Sequence, residues 1–329
     1  ASTFFASISG SASATAAAIG GMLVPPMVED GYDKDFAAAT ITAASVVGPI
    51  IPPSTPMVIL AVTAGLSVGG LFLAGYVPGL LYSLGLMVYI GYRAKKTNLP
   101  TNELVLTRKE KLLVIRNSLP AVLMPLIILG GILGGIFTAT EAAAMACIYG
   151  LLIGFFYTKN LTFKVLPSMF VRTAIITAAI DLILATSNIL GWSLTVFQIP
   201  QQVAQHFLSI STNPYVILFL INILLLIMGC FMEIVVTIIM LTPILFPMIK
   251  SLGIHPLHFG LVMIFNLCIG MATPPLGLSL FVACRIADTT IEKISMQIWP
   301  MILVSIIILL AITYWPDLSM FLPRVFGLY

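Results

Sequence analysis

Gly48-Pro-Ile-Ile-Pro-Pro-Ser54 and Gly270-Met-Ala-Thr-Pro-Pro-Leu276 decide the fold. Each places a Pro-Pro pair just after a glycine, inside an apolar stretch, residues 36–65 and 258–286. Proline lacks an amide N–H and its ring collides with the preceding turn, so a helix cannot run through either pair. Each stretch is therefore a helix broken near its middle. Keeping the offset that aligns Pro52 with Pro274, Ala61 meets Ala283, Ser67 meets Thr289 and Pro78 meets Pro300. Upstream, with small gaps, Pro26-Met27 resembles Pro247-Met248 and Phe36 resembles Phe259, and a break at Gly10 pairs with one expected at Gly229. Each copy reads as two short helices around a glycine break, a loop, a Pro-broken helix and a full span.

Composition fixes the surroundings of these helices. Of 329 residues, 60% are apolar and 8% charged, against about 25% charged in soluble domains. So few charges cannot clothe a water-facing surface, and most of the exterior must face lipid. A spanning helix takes roughly 20 apolar residues, which leaves room for about eight spans and some shorter pieces. The net charge of +3 is too small to argue for nucleic acid. Cys147, Cys230, Cys268 and Cys284 all lie in apolar stretches with no CxxC, and read as small apolar helix residues. Of the histidines, His206 is isolated, and His255 and His258 form an HxxH in a short polar loop, a weak metal pattern. The chain carries no signal-peptide pattern and opens inside an apolar segment, so its first spans are expected to be missing.

Working outward, residues 1–8 and 12–28 flank the break Ser9-Gly10-Ser11, and 214–228 and 234–249 flank Gly229. Full spans are expected near 71–92, 118–137, 141–157, 173–198 and 295–315, with 201–213 as a polar connection. The Lys/Arg-rich loops 93–116 and 159–172 are separated by two spans, so both fall on one side, which the excess of positive charge marks as cytoplasmic. The count then puts 201–213 outside and gives the two copies opposite orientation. The expected fold is all-α: a polytopic membrane protein with inverted repeats, each holding a re-entrant helical hairpin and a Pro-broken helix. The first repeat covers 1–92, connecting spans 93–213, and the second repeat 214–329. Inverted repeats with discontinuous helices are the signature of secondary transporters: freed carbonyls suit a cation, and half-helix N-termini suit an anionic group.

Four stretches carry a resemblance: Ser7-Ile-Ser-Gly-Ser-Ala-Ser-Ala-Thr-Ala16, Gly48-Pro-Ile-Ile-Pro-Pro-Ser-Thr-Pro-Met-Val58, Gly135-Ile-Phe-Thr-Ala-Thr-Glu-Ala-Ala-Ala144 and Gly270-Met-Ala-Thr-Pro-Pro-Leu-Gly-Leu-Ser-Leu-Phe-Val-Ala283. With their spacing, the chain resembles the large membrane subunit of tripartite ATP-independent periplasmic (TRAP) transporters, N-terminally incomplete. It departs from the family pattern at Ala139, where a proline is usual, and at Arg285, where a small residue is frequent. The resemblance implies an elevator-type, sodium-driven importer of organic acids such as sialic acids, dicarboxylates or sugar acids, in the bacterial inner membrane. It implies a small four-helix membrane subunit and a periplasmic substrate-binding protein as partners, Na⁺ as coupling ion, no organic cofactor, no transition metal and no enzymatic activity. By the same resemblance one sodium lies at Ser9, Gly48, Ile51 and Pro53, with Ser7 and Gly10 adjacent, and a second at Gly229, Gly270, Thr273 and Pro275. Ser11 and Thr15 are the candidates for substrate contact in the first stretch.

Charges inside the membrane are expensive and therefore mark function or a specific partner. Asp181, about 14 Å along a helix from Arg172, lines a substrate path or pairs with another group. Arg285 either snorkels to the interface or binds a carboxylate. Glu233 sits at a half-helix N-terminus, where an acid is favoured in any case, and Thr138 with Glu141 has capping-box spacing. A two-component sodium–carboxylate symporter without a binding protein stands as the alternative. An intramembrane protease would need a GxGD or GxSG with a partner, and a scaffold subunit would have no need of paired breaks.

Overall fold

The computed structural model describes residues 1–97, 99, 107–211 and 213–329. Part of the first basic loop and the side chain of His206 lie outside the described residues. The described chain is all-helical. It runs α1 (Ser2–Ser9), α2 (Ala12–Glu29), α3 (Lys34–Ser45), α4 (Thr55–Ala64), α5 (Val68–Thr97), α6 (Arg108–Leu133), α7 (Ala139–Leu152) with a π-turn (Ile153–Tyr157), α8 (Leu166–Val196), α9 (Ile199–Ile210), α10 (Pro214–Phe231), α11 (Ile234–Ser251), α12 (Pro256–Met271), α13 (Leu278–Ala287), α14 (Ile291–Tyr314) and α15 (Asp317–Val325). Among the described residues, seven helices are long and apolar enough to cross a membrane: α5, α6, α7 with its π-turn, α8, α10, α11 and α14. The protein is a multi-pass membrane protein.

The backbone groups two compact units, Ala1–Leu104 with Pro200–Tyr329, and Val105–Ile199. The second unit holds α6, α7 and α8. The first helix packs on the second, and Tyr149 donates its hydroxyl to Pro120 O at 2.9 Å. Leu112, Ile115, Leu126, Phe170, Ile175 and Leu182 stand exposed along these helices, as lipid-facing side chains do.

The first unit is built around α12, whose residues Leu257 to Met271 are all buried. Helices α10, α11, α5 and α14 pack against it. Tyr82 of α5 is fully buried, donates to Ala43 O at 2.7 Å, accepts from Ser305 Oγ at 3.2 Å and meets Phe265 edge-on at 5.7 Å. One phenol thereby ties four helices together with its polar end satisfied, the condition for burying it. A second polar chain crosses the core: Asn266 Nδ2 donates to Asn222 Oδ1 at 2.8 Å, and Asn222 Nδ2 donates to Thr313 Oγ1 at 3.1 Å. His258 bonds Ser319 Oγ at 2.7 Å through Nδ1, and Nε2 lies 3.2 Å from Thr313 O. His255 accepts from Leu257 N at 3.3 Å as the N-cap of α12. Both residues of the HxxH thus fasten helix ends.

Three expectations change. The break paired with Gly10 falls at Met232, which is extended at φ −123, ψ 151, while Gly229 lies inside α10. Most of the polar connection 201–213 is helix α9, whose apolar positions recur at helical spacing between glutamines. Beyond the last span the chain forms α15, amphipathic and packed on α5, with an exposed Arg324–Asp317 pair at 2.6 Å.

Candidate functional site

Helix α1 ends at Gly10, which is left-handed at φ 61, and Ser11 is extended and accepts from Ala14 N at 3.4 Å as the N-cap of α2. The tip of this hairpin interlocks with the first break, residues 46–54. A Cβ on Gly10 would sit 2.7 Å from Pro53 O, and one on Gly48 would sit 2.7 Å from Ser11 O and 2.8 Å from its carbonyl carbon. Glycine is required at both places because backbone meets backbone. Ser54, buried, closes the break: its hydroxyl donates to Pro49 O at 2.6 Å and accepts from Met57 N at 3.3 Å, capping α4. Ser9 Oγ donates to Ser11 O at 3.4 Å, and Thr15 donates to the same oxygen from Oγ1 at 2.7 Å and from its amide at 3.0 Å.

The second break, residues 272–277, is held differently. Helices α10 and α12 cross at a glycine pair: a Cβ on Gly270 would lie 2.5 Å from Gly229 C and 2.6 Å from its Cα. Gly229 therefore serves a helix crossing, where small residues let backbones approach, and not a turn. Next to it, Cys230 Sγ donates to Thr273 O at 3.2 Å, while Thr273 Oγ1 donates to Ile269 O at 2.7 Å. Glu233 caps α11, accepting from Val235 N at 2.7 Å and Val236 N at 3.3 Å. Gly277 opens α13 with no side-chain cap. The Pro52–Pro53 and Pro274–Pro275 peptide bonds are both cis.

The structure thus brings Gly10 onto Pro53 and Ser11 onto Gly48, with Ser9 bonded to Ser11 O, and Gly229 onto Gly270 beside Thr273. Ile51 is buried against Gly79 of α5. Ser7 is half-buried, and its hydroxyl donates to Phe4 O at 2.7 Å. Pro275 is exposed at the second break. Thr15 is fully buried one turn below the hairpin tip. Asp181 is exposed on α8, in the other compact unit. Arg285 is exposed in the last turn of α13, about 10 Å along the helix from its start. Thr138 and Glu141 form a complete capping box at the start of α7.

The donor set of both clusters is neutral oxygen. The hydroxyls of Ser9, Ser54 and Thr273 send their protons to backbone carbonyls and keep lone pairs free, and the breaks add carbonyls that no helix uses. Such a set fits a hard monovalent cation. Among the described residues no group of His, Cys, Asp and Glu is arranged to hold a metal. Sequence reading passed over Ser54, although Ser-Thr-Pro after a break is an N-cap pattern. It also passed over Asn222 and Asn266, each an isolated polar residue in an apolar run.

A helical hairpin whose tip interlocks with a Pro-broken helix, beside a second Pro-broken helix in a multi-pass membrane protein, fits the discontinuous-helix architecture of secondary transporters. Residues 1–318 match the model of the family described as tripartite ATP-independent periplasmic transporter, DctM component. The chain is 43% identical over 318 residues to the isethionate TRAP transporter permease protein DctMQ of Oleidesulfovibrio alaskensis, covering 97% of this chain and 50% of that one. It is 37% identical over 326 residues to the sialic acid TRAP transporter large permease protein SiaM of Vibrio cholerae, covering 99% and 76%. It is 38% identical over 324 residues to the C4-dicarboxylate TRAP transporter large permease protein DctM of Pseudomonas aeruginosa, covering 98% and 76%. The chain belongs to the DctM component family of TRAP transporters, a family of transporter permeases and not of enzymes.

Proposed function

We propose that this chain is the membrane transport subunit of a sodium-coupled, binding-protein-dependent importer of organic acids in the bacterial inner membrane. The observation that carries the reading is the pair of broken helices, one interlocked with a hairpin tip at Gly10 and Gly48, the other with a hairpin arm at Gly229 and Gly270. A bound Na⁺ would supply the positive charge that the free carbonyls and hydroxyl lone pairs of these clusters can accept. Ser9, Gly48, Ile51 and Pro53, with Ser7 and Gly10 adjacent, serve the first ion, and Gly229, Gly270, Thr273 and Pro275 the second.

Three relatives carry isethionate, sialic acid or C4-dicarboxylate in their names. All three are organic anions, and an organic acid is the substrate class proposed here. Membership in a tripartite family supports a small membrane subunit and a periplasmic binding protein as partners, and weighs against the two-component alternative. We also propose that residues 1–92 and 214–329 are inverted repeats that move together as the carrier of an elevator, with 93–213 as connecting spans.

The test is uptake into proteoliposomes of the assembled complex, with candidate binding proteins and labelled acids supplied in turn. Import driven by an inward sodium gradient and absent without a binding protein is expected. Import that is indifferent to replacing sodium by potassium, or equally fast without a binding protein, overturns the proposal.

A further inference from the structure

Helices α2 and α13 pack together in the first unit. Gly20 of α2 approaches Ile286 of α13: a Cβ there would sit 2.9 Å from Ile286 Cδ1. At the far end of the pair, Lys34 Nζ donates to Asp288 O at 2.7 Å and Thr289 Oγ1 donates to Asp35. The C-terminal end of α13 therefore points toward the α2–α3 turn, and the two helices run in the same direction. Two turns back from Gly20 and Ile286 the shared rise of about 10 Å reaches Ser13 and Ser279, in the first turns of α2 and α13. Both positive dipole ends point the same way.

The two ends are not equally satisfied. Ser11 caps α2, but α13 begins at Gly277, which has no side chain to offer. Ser279, at the second helical position, is fully buried, and its hydroxyl has no hydrogen-bond partner. Helical Cα–Cβ bonds tilt toward the N-terminus, so this hydroxyl lies beside the uncapped end. The Leu280 amide already donates to Gly277 O at 2.8 Å, so the donors left for an acceptor are this buried orphan hydroxyl and the amides of Leu278 and Ser279.

We infer that Ser279 and the first-turn amides of α13, beside the N-terminus of α2, form the subsite for the acidic group of the transported organic anion. The inference deepens the import reading and rests on it. It also assigns the two halves of the broken helix: the carbonyl end of α12 faces the cation cluster and the amide end of α13 takes the anion. Arg285, at the opposite end of α13, is then not the carboxylate ligand.

The test uses the assembled complex in proteoliposomes with labelled sialic acid, succinate and isethionate as probes. Ser279→Ala is expected to raise KM for the imported acid about tenfold, equivalent to ~1.4 kcal/mol, with the sodium concentration for half-maximal uptake within twofold of the unmodified complex. Ser279→Thr, which keeps the hydroxyl, is expected to restore KM. A KM within twofold in Ser279→Ala overturns the subsite and leaves the import reading standing. Import of none of the three acids by the unmodified complex counts against the import reading instead. The subsite then has its own readout: Ser279→Cys, with Cys147 and Cys284 replaced by alanine, labelled by thiosulfonates of opposite charge and equal size. The anionic reagent is expected to react at least tenfold faster, and equal rates or no reaction overturn the inference.

Discussion

The two breaks look alike in sequence and are finished differently in three dimensions. At the first, Ser54 turns its hydroxyl onto Pro49 O and caps α4, so the break supplies its own helix cap. At the second, Thr273 sends its proton back to Ile269 O and Gly277 leaves α13 uncapped. The same Pro-Pro device thus yields one closed joint and one that keeps unused donors. In a membrane interior unused donors are costly, and they persist where a ligand uses them.

The largest effects should come from the glycines that hold each break to its neighbour. Gly270→Ala places a methyl 2.5 Å from the Gly229 backbone, and Gly48→Ala places one 2.7 Å from Ser11 O. Overpacking against backbone costs about 1–3 kcal/mol or more. Both variants should lower the thermal midpoint of the purified complex, Gly270→Ala the more, because its neighbours are closer. Gly91, in α5 with nothing within 4 Å, is the control: Gly91→Ala should be neutral or stabilising by up to ~1 kcal/mol. Equal destabilisation by all three would remove the argument from close approach.

A smaller effect should separate the joints. Ser54→Ala removes a cap and a buried hydrogen bond and should destabilise by about 1–2 kcal/mol in the same thermal measurement. Thr273→Val should change stability less, because Thr273 caps nothing. If Thr273→Val proves the more damaging to stability, the second break is a structural joint like the first.

The smallest concerns pH at the far end of α12. Burial, and then the nearby Arg324, hold His255 below its ordinary pKa. Its Nδ1 must be unprotonated to accept from Leu257 N. With a folded pKa below the unfolded value of about 6.5, its stabilising contribution is complete above that pH and is lost as pH falls through the folded value. His255→Asn keeps a cap but does not titrate, so its thermal midpoint should fall less between pH 7.5 and 5.5. Parallel falls would show that the histidine is not sensing pH.

The breaks and the first hairpin were legible because proline and glycine act on their own backbone, whatever surrounds them. Gly229 misled for the same reason: a glycine in an apolar run signals a turn or a close crossing, and only the partner helix tells which. The helix α9 hid behind its glutamines, and α15 behind a last span that looked terminal. Ser279 was silent, since burial and the lack of a partner are tertiary facts. Asp181 and Arg285 drew attention as charges in apolar runs; both stand exposed, Asp181 on α8 and Arg285 in the last turn of α13. The expected division at residues 92 and 213 marks proposed repeats, whereas compactness gathers 1–104 with 200–329.

The central claim is that both breaks hold the coupling ion. It is tested most directly by the sodium dependence of organic-acid uptake in proteoliposomes, with the binding protein in excess, for Ser9→Ala and Thr273→Val. Losing one hydroxyl ligand should weaken sodium binding by ~1–3 kcal/mol, so each variant should need at least fivefold more sodium for half-maximal uptake while still inserting and assembling. Unchanged sodium dependence in both variants would contradict the account and leave the breaks as hinges.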